Sequence, residues 1–378
     1  MRELAEIRAE LDILDSKMLE LFEKRMDLSK EVAAYKTAHD MPILDLKREK
    51  QVLEDKSGKT ANSEYKQYVY RFFSVLMDLS KDLQAKETNT NVFDHFKDNK
   101  QSKNDDEPVK VCYQGIMGSY GQQAAANYFN GKNAIFNNAK TFEDVFKAVS
   151  NGEYKYGVIP VENSSTGVVN ESYDLFEKYS CYIVGEYELP VEHCLLAVKG
   201  AKIEDIKDVY SHTQGLLQCQ EFIQKHGLNA VIDSNTAVSA ARIAKEQDKS
   251  KAAIAAKCNA EIYGLDILAE NINHNSKNVT RFYIIGKEWE VSEDCNKTSI
   301  IFTTKHEAGA LFKVIKCLAD HDLSITLICS RPIIGSDFEY KFFLDFYGGI
   351  LDQNVKNALT DIKNSCQSMS VLGCYRHR

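Results

Sequence analysis

No stretch of this 378-residue chain is apolar over the ~20 residues that a membrane helix needs. The charged opening MRELAEIRAE lacks the apolar core of a signal peptide. No membrane partner is expected. An excess of positive charge is also missing, because 47 Lys and Arg stand against 55 Asp and Glu for a net charge of -8. A phosphate backbone demands the opposite balance, so nucleic acid is excluded as the main partner. Ten cysteines run from Cys112 to Cys374 with no C-x-x-C pair and no Cys/His cluster at zinc spacing. No metal site is expected, and irregular thiols suit a reducing, cytoplasmic setting. Internal repeats are absent, as is the G-x-G tight turn of a dinucleotide site. No cofactor is expected.

What remains is ordinary for a folded chain, with 44% hydrophobic and 27% charged residues and enough length for two or three domains with sizeable cores. The N-terminal segment carries Leu4, Ile7, Leu11, Leu14, Met18, Leu21, Arg25, Leu28, Val32 and Tyr35, stepping alternately by three and four. That spacing is one helix face buried along its whole length. Arg25 interrupts it. A guanidinium cannot neutralise itself by losing a proton, so it either snorkels to water or meets an anion. Lys36 follows only ~20° round the helix and ~16 Å along it, which lets both side chains lean toward one small ligand. Arg8 sits ~25 Å from Arg25 and ~100° away. It can serve such a site only on another helix, as an antiparallel dimer with twofold symmetry would arrange.

Beyond the breaker Pro42, Asp45, Arg48 and Glu49 share a helical surface. A third helix, from about Glu64 to Gln84, is expected to bury Tyr65, Phe72, Val75, Leu76, Leu79 and Leu83, and it sets Ser80 and Gln84 four residues apart. In type, order and spacing, Arg8, Arg25, Lys36, Asp45, Arg48, Glu49, Ser80 and Gln84 resemble the site of the all-helical chorismate mutases. The resemblance implies an intertwined helical dimer in which Arg8 completes the partner's site. It implies further that Arg8 and Arg25 hold the carboxylates of chorismate, that Lys36 and Gln84 donate to its ether oxygen, and that Glu49 with Asp45 and Arg48 orients the hydroxyl end. The chemistry suits these groups. A single pericyclic step needs no nucleophile and no proton transfer, only orientation and charge where the ether becomes electron-rich. Even ~10⁶-fold acceleration asks for ~8 kcal/mol of selective stabilisation, which several fixed donors can share.

Residues 87–108 are polar and charged and read as a linker or a weak helix. From Val109 onward short β-rich runs such as VKVCY, YGVIPV and AAIAA alternate with amphipathic stretches, with Thr141 and Thr236 where N-caps would stand. This predicts an α/β domain with a mainly parallel sheet, two lobes and ligands at strand carboxyl ends. Four clusters fall at such ends. QGIMGSYG spaces Gly115, Gly118 and Gly121 by three, with Ser119 as a candidate helix cap. PVENSSTG crowds Glu162, Asn163 and Ser164 after a buried strand. YSHTQGLLQCQ holds Ser211, His212 and Gln218, and NVTRFYIIG opens a strand with Thr280, Arg281 and Phe282. Ser211 and His212 are neighbours on an extended chain and point apart, which argues against a hydrolase triad.

PVENS, the S-H-x-Q segment and the T-R-F triplet together resemble prephenate dehydratase over residues 109–287. The order of the two segments is that of the bifunctional chorismate mutase/prephenate dehydratases. The resemblance implies that Thr280 is the acid that expels the ring hydroxyl of prephenate. Glu162, Asn163, Ser164, Ser211, Gln218 and Phe282 then line the ring, and Arg281 either anchors the pyruvyl carboxylate or stabilises the loop. The last ninety residues restart as β-α-β-β-α-β, a ferredoxin-like order. GALF and C-S-R-P there resemble the effector segments of ACT domains, implying that Gly309, Ala310, Leu311, Ser330, Arg331 and Pro332 bind phenylalanine, with Cys329 where relatives usually carry glutamate.

The expected chain is thus multidomain: an all-α, dimer-forming mutase over 1–86, a linker over 87–108, an α/β two-lobed dehydratase over 109–287 and an α+β ACT domain over 288–378. It is expected to be a homodimer or higher homo-oligomer, with chorismate and prephenate as substrates and phenylalanine as feedback inhibitor. Two alternatives stand beside it, a phenylalanine sensor with degenerate catalytic modules and a mutase fused to a prephenate dehydrogenase. The intact octet and T-R-F oppose the first, and the missing G-x-G-x-x-G opposes the second.

Overall fold

The computed structural model describes residues 2–39, 46–87, 107–275, 277–333 and 339–377, and the chain divides into two compact units, Met1–His95 and Phe96–Arg378. The first unit is helical: α1 (Leu4–Ala38), α2 (Leu46–Gly58), a 3-10 turn (Ser63–Tyr65) and α3 (Lys66–Glu87). Helix α3 packs against both α1 and α2, and among the described residues of this unit the buried apolar side chains are Ala33, Leu76 and Met77. The seam on α1 is not buried. Its apolar members from Leu4 to Tyr35 are all exposed, Leu21 at 67%. The same correction applies to Tyr65, Phe72, Val75 and Leu79 on α3. The physical reason is that a three-helix unit has too few neighbours to cover so wide an apolar surface.

The second unit begins with β1 (Val109–Gln114), α4 (Tyr120–Tyr128), β2 (Ala134–Ala139), α5 (Phe142–Ser150), β3 (Tyr156–Asn163), β4 (Gly167–Val168), α6 (Asn170–Lys178) and β5 (Tyr182–Pro190). It continues through β6 (Cys194–Ala197), β7 (Asp208–Ser211), α7 (Thr213–Gln218), α8 (Gln220–Lys225), β8 (Asn229–Ile232), α9 (Thr236–Glu246), β9 (Lys251–Ala255), α10 (Cys258–Tyr263) and β10 (Asp266–Ala269). Strand β11 (Val279–Gly286) then returns to the first sheet, whose order is β2-β1-β3-β11-β5 with β4 on β3. The second sheet runs β10-β6-β9-β7-β8. Both sheets are mixed, which corrects the expectation of a mainly parallel one. Only β2-β1-β3 and β9-β7-β8 are parallel. The chain leaves the first sheet after β5 and comes back as β11, which must insert antiparallel between β3 and β5.

Local signals act where expected, with one exception. Ser119 caps α4, and Thr141 forms a capping box with Asp144 at α5. At α9 the cap is Asn235, whose side chain accepts from the Ala237 amide, while Thr236 is the first helical residue and buried. Gly118 takes a left-handed turn, and a Cβ there would meet Asn259 Oδ1 at 2.2 Å. Only glycine lets that turn touch the second lobe.

The C-terminal part adds β12 (Lys297–Thr303), α11 (Ala310–Asp320), β13 (Ile325–Pro332), β14 (Tyr340–Tyr347), α12 (Gln353–Ser365) and β15 (Ser368–Tyr375), a β-α-β-β-α-β run whose antiparallel sheet is ordered β13-β14-β12-β15. This sheet lies on the first one. Leu327, Phe343, Leu372 and Tyr375 share a core cluster with Tyr173, Ile183 and Tyr283. Gly373 approaches so closely that a Cβ would come within 2.0 Å of the Ile183 carbonyl oxygen. Among the described residues no helix is long and apolar enough to cross a membrane, and no group of three or more His, Cys, Asp or Glu is placed to hold a metal.

Candidate active sites

Arg25 is half-buried and its Nη1 donates to the Leu76 carbonyl at 3.0 Å and to the buried Ser80 hydroxyl. Ser80 in turn donates to Leu76 O at 2.8 Å. Helices α1 and α3 thus bring Arg25 and Ser80 together. Burial lowers the guanidinium's pKa, and no carboxylate of a described residue pairs with it. The anion that the sequence calls for is not supplied by these residues. Lys36 is half-buried on the same helix, and Arg8 is exposed. Arg48 is exposed and donates to Gln51 at 3.1 Å along its own helix. Asp45 and the side chains of Glu49 and Gln84 lie outside the described residues.

The dehydratase-like cluster forms at the end of β3 and the start of β11, where Thr280 pairs with Asn163 and Arg281 with Glu162. Successive strand residues face opposite sides, and that splits the expected site. On one side, Asn163 Nδ2 donates to Thr280 Oγ1 at 2.9 Å and to Asn278 Oδ1 at 2.8 Å. Asn278 Nδ2 donates to Gln218 Oε1 at 3.0 Å, which also meets His193 Nε2 at 2.9 Å. The Thr280 hydroxyl donates to no described residue, and neither does the Gln218 amide nitrogen. Both are free to donate to a guest. Ser211 is fully buried and donates to Ile254 O at 2.7 Å. Ser164 ties β3 to β11, accepting from the Val279 amide and donating to Lys277 O. Phe282 is packed in the core with Val111, Phe129 and Val158. Ser164, Ser211 and Phe282 therefore help to build the frame of this cluster.

On the other side, Arg281 is saturated by carboxylates. It donates to Glu162 at 2.7 Å and to Glu188 at 3.1 and 3.3 Å, with Glu186 at 3.8 Å. Burial would depress its pKa, and the facing carboxylates of Glu186 and Glu162 raise it instead. Glu186 also holds Lys297, which is 0% exposed, at 2.7 Å, and meets His377. Asp345 accepts from Tyr283 and from Ser299 beside them. Glu186 keeps Arg281 and His377 as further partners, and Lys297 has Asp345 at 3.9 Å, so the pair is part of a buried charge network. Glu162 and Arg281 thus belong to the seam with the C-terminal sheet. The loop-stabilising alternative for Arg281 is the one its partners support.

In the C-terminal part a cavity of ≈ 450 Å³ is lined by Gly309, Ala310, Leu311, Glu339, Tyr340 and Phe342, among others. Ser330 and Pro332 stand across the β13–β14 ladder from Phe342 and Tyr340. Arg331 is turned away to a two-point ion pair with Asp174 of α6, at 2.6 and 2.7 Å. Burial pushes the half-buried Cys329 thiol up to about 12.

Sequence reasoning missed Tyr120, His193, Asn278, Glu186 and Lys297. None has a spacing signal, because each meets its partners across 25 or more residues. Burial lowers the His193 pKa despite the Gln218 hydrogen bond, so the folded chain keeps this ring neutral. The unfolded chain takes up a proton as pH falls through about 6.5. Stability supplied by neutral His193 is therefore present above that value and lost as pH falls toward the depressed folded pKa. Between about pH 7 and pH 5 the thermal midpoint of the native chain should fall more than that of His193→Gln. Equal losses would show that this histidine does not carry the acid sensitivity.

A chorismate mutase type II family model matches residues 7–85, and a prephenate dehydratase model matches residues 111–290. The fold and its clusters thus define a two-enzyme chain, an isomerase domain followed by a lyase domain. The bifunctional chorismate mutase/prephenate dehydratase of Enterobacter agglomerans is 32% identical over 380 residues, covering 98% of this chain and 95% of the relative. This chain belongs to the bifunctional chorismate mutase/prephenate dehydratase family. Arogenate dehydratase 2 of Petunia hybrida is 36% identical, covering 71% of each chain. The crystal structure of prephenate dehydratase from Arthrobacter aurescens in complex with L-Phe is similar with a TM-score of 0.66 and 26% identity, covering 71% of this chain and 90% of that one.

Proposed function

We propose that the chain converts chorismate to prephenate in the helical unit and prephenate to phenylpyruvate in the α/β part, under feedback from phenylalanine. The half-buried guanidinium of Arg25, which no carboxylate of a described residue pairs, carries the first assignment. Chorismate is a dicarboxylate, and an arginine held by neutral oxygens has its charge left to offer. Ser80 orients Arg25, Lys36 donates to the ether oxygen with Gln84, and Asp45, Arg48 and Glu49 hold the hydroxyl end. The exposed seam of α1 is the surface through which two copies would intertwine, and an exposed Arg8 is then delivered to the partner's site.

For the dehydratase, a proton must reach a poor leaving group while the departing carboxylate is left loosely held. Thr280 accepts from Asn163 and keeps its O–H for the ring hydroxyl, which leaves as water. The ring carboxylate departs as carbon dioxide, and its bonding electrons complete the aromatic ring. Gln218 offers its amide nitrogen to the same guest. The domain boundaries argued above, 1–86, 109–287 and 288–378, divide these tasks.

Residues 288–378 act as an ACT-type effector domain. The cavity beside Gly309, Ala310 and Leu311, with Ser330 and Pro332 across the ladder, suits a small amino acid, and the Arthrobacter dehydratase was crystallised with L-Phe. Feeding chorismate alone to the chain should yield phenylpyruvate without any nicotinamide. Adding phenylalanine should lower that rate, with an effector coupling of about 5- to 150-fold. Prephenate as the end product would refute the second activity, and a rate indifferent to high phenylalanine would remove the regulation.

A further inference from the structure

We propose, on the premise that Thr280 is the dehydratase acid, that His193 is a positioning residue that aims the Thr280 proton through a chain of fixed amides. Backbone donors set the direction of that chain. Asn163 Oδ1 accepts from the amides of Ser165 at 3.0 Å and Thr166 at 3.1 Å, so its nitrogen must point the other way. That nitrogen donates to Asn278 Oδ1 and Thr280 Oγ1. With its oxygen occupied, Asn278 presents its nitrogen to Gln218 Oε1. Gln218 Oε1 then meets His193 as an acceptor, which requires the proton on His193 Nε2. The opposite ring nitrogen, Nδ1, lies 3.0 Å from the Tyr120 hydroxyl, whose single proton has the Glu192 carbonyl as a second acceptor, also at 3.0 Å.

The network spans both crossings between the two sheets. His193 lies between β5 and β6, and Asn278 lies just before β11. The crossings hold each other, since Val191 N donates to Asn278 O at 2.8 Å and Ile272 N to His193 O at 3.0 Å. His193 and Asn278 are themselves buried, at 2% and 3% exposure, so water does not compete for these bonds. The consequence for chemistry is specific. A Thr280 oxygen that must accept from Asn163 can spend its single proton only on the guest. If His193 no longer donates, Gln218 Oε1 keeps only Asn278 and the outer end of the chain loosens; the backbone still sets which way Asn163 points, but Thr280 and Gln218 are held less closely against the guest.

The test is steady-state dehydratase kinetics on the full chain supplied with prephenate. His193→Leu should lower kcat by about 10- to 100-fold with KM little changed. His193→Gln, which returns an N–H donor near the Nε2 position, should recover most of that loss. A wild-type kcat in His193→Leu, or equal losses in both variants, would overturn the proposal. Should His193→Leu fail to fold, Tyr120→Phe removes only the hydroxyl that links His193 Nδ1 to the Glu192 carbonyl, and it should lower kcat by about 2- to 10-fold. An unchanged kcat there would also overturn it. Thr280→Val, assayed in parallel, separates the premise from the proposal. Full activity in Thr280→Val sinks both, whereas its inactivity beside an unaffected His193→Leu sinks only the relay.

Discussion

Thr280→Val leaves the chain folded and lowers phenylpyruvate formation from prephenate by roughly 10²- to 10⁴-fold, the span that a general acid supplies. Valine keeps the β-branched shape on β11 and removes one hydroxyl. The loss therefore falls on the proton and not on packing. Asn163 would keep its bonds to the Ser165 and Thr166 amides and to Asn278, so the loop should hold. Chorismate consumption by the same variant should be unchanged, because the mutase match ends at residue 85. A variant that still forms phenylpyruvate at the native rate would remove Thr280 from the reaction.

Arg25→Ala should cut mutase turnover by about 10²-fold, the loss expected when a clamped carboxylate is released and the reacting ends are misplaced. Its effect on stability should run the other way. The side chain is half-buried, its pKa is lowered by burial, and its partners are a carbonyl and a hydroxyl. Removing it relieves desolvation without stranding a buried anion. Turnover should therefore collapse while the thermal midpoint holds or rises. Arg25→Lys should not restore the rate, since an ammonium cannot make the planar two-point contact with a carboxylate. A lower midpoint with mutase turnover intact would make Arg25 a structural residue.

Much of the architecture was legible because it rests on short-range rules. The three- and four-residue steps of α1, the cap at Thr141 and the β-α-β-β-α-β order of the C-terminal part are all decided within a few neighbouring residues. Thr236 is not the cap, because Asn235 one position earlier accepts from the Ala237 amide and Thr236 is already helical. The mixed sheets were not legible, since nothing local says that β11 comes back between β3 and β5.

By itself the sequence determined which chemistry is present: an amphipathic helix with one misplaced arginine, a threonine opening a strand, and two enzymes in order. Only the tertiary structure decided which of those residues meet. Thr280 and Arg281 are adjacent, yet the strand's pleat sends one to Asn163 and the other to Glu162, Glu186 and Glu188. His193 and Gln218 are 25 residues apart and come within 2.9 Å. Strand pairing and the crossings between sheets set these contacts. They depend on the closure of long loops, for which no periodicity in the chain is a guide.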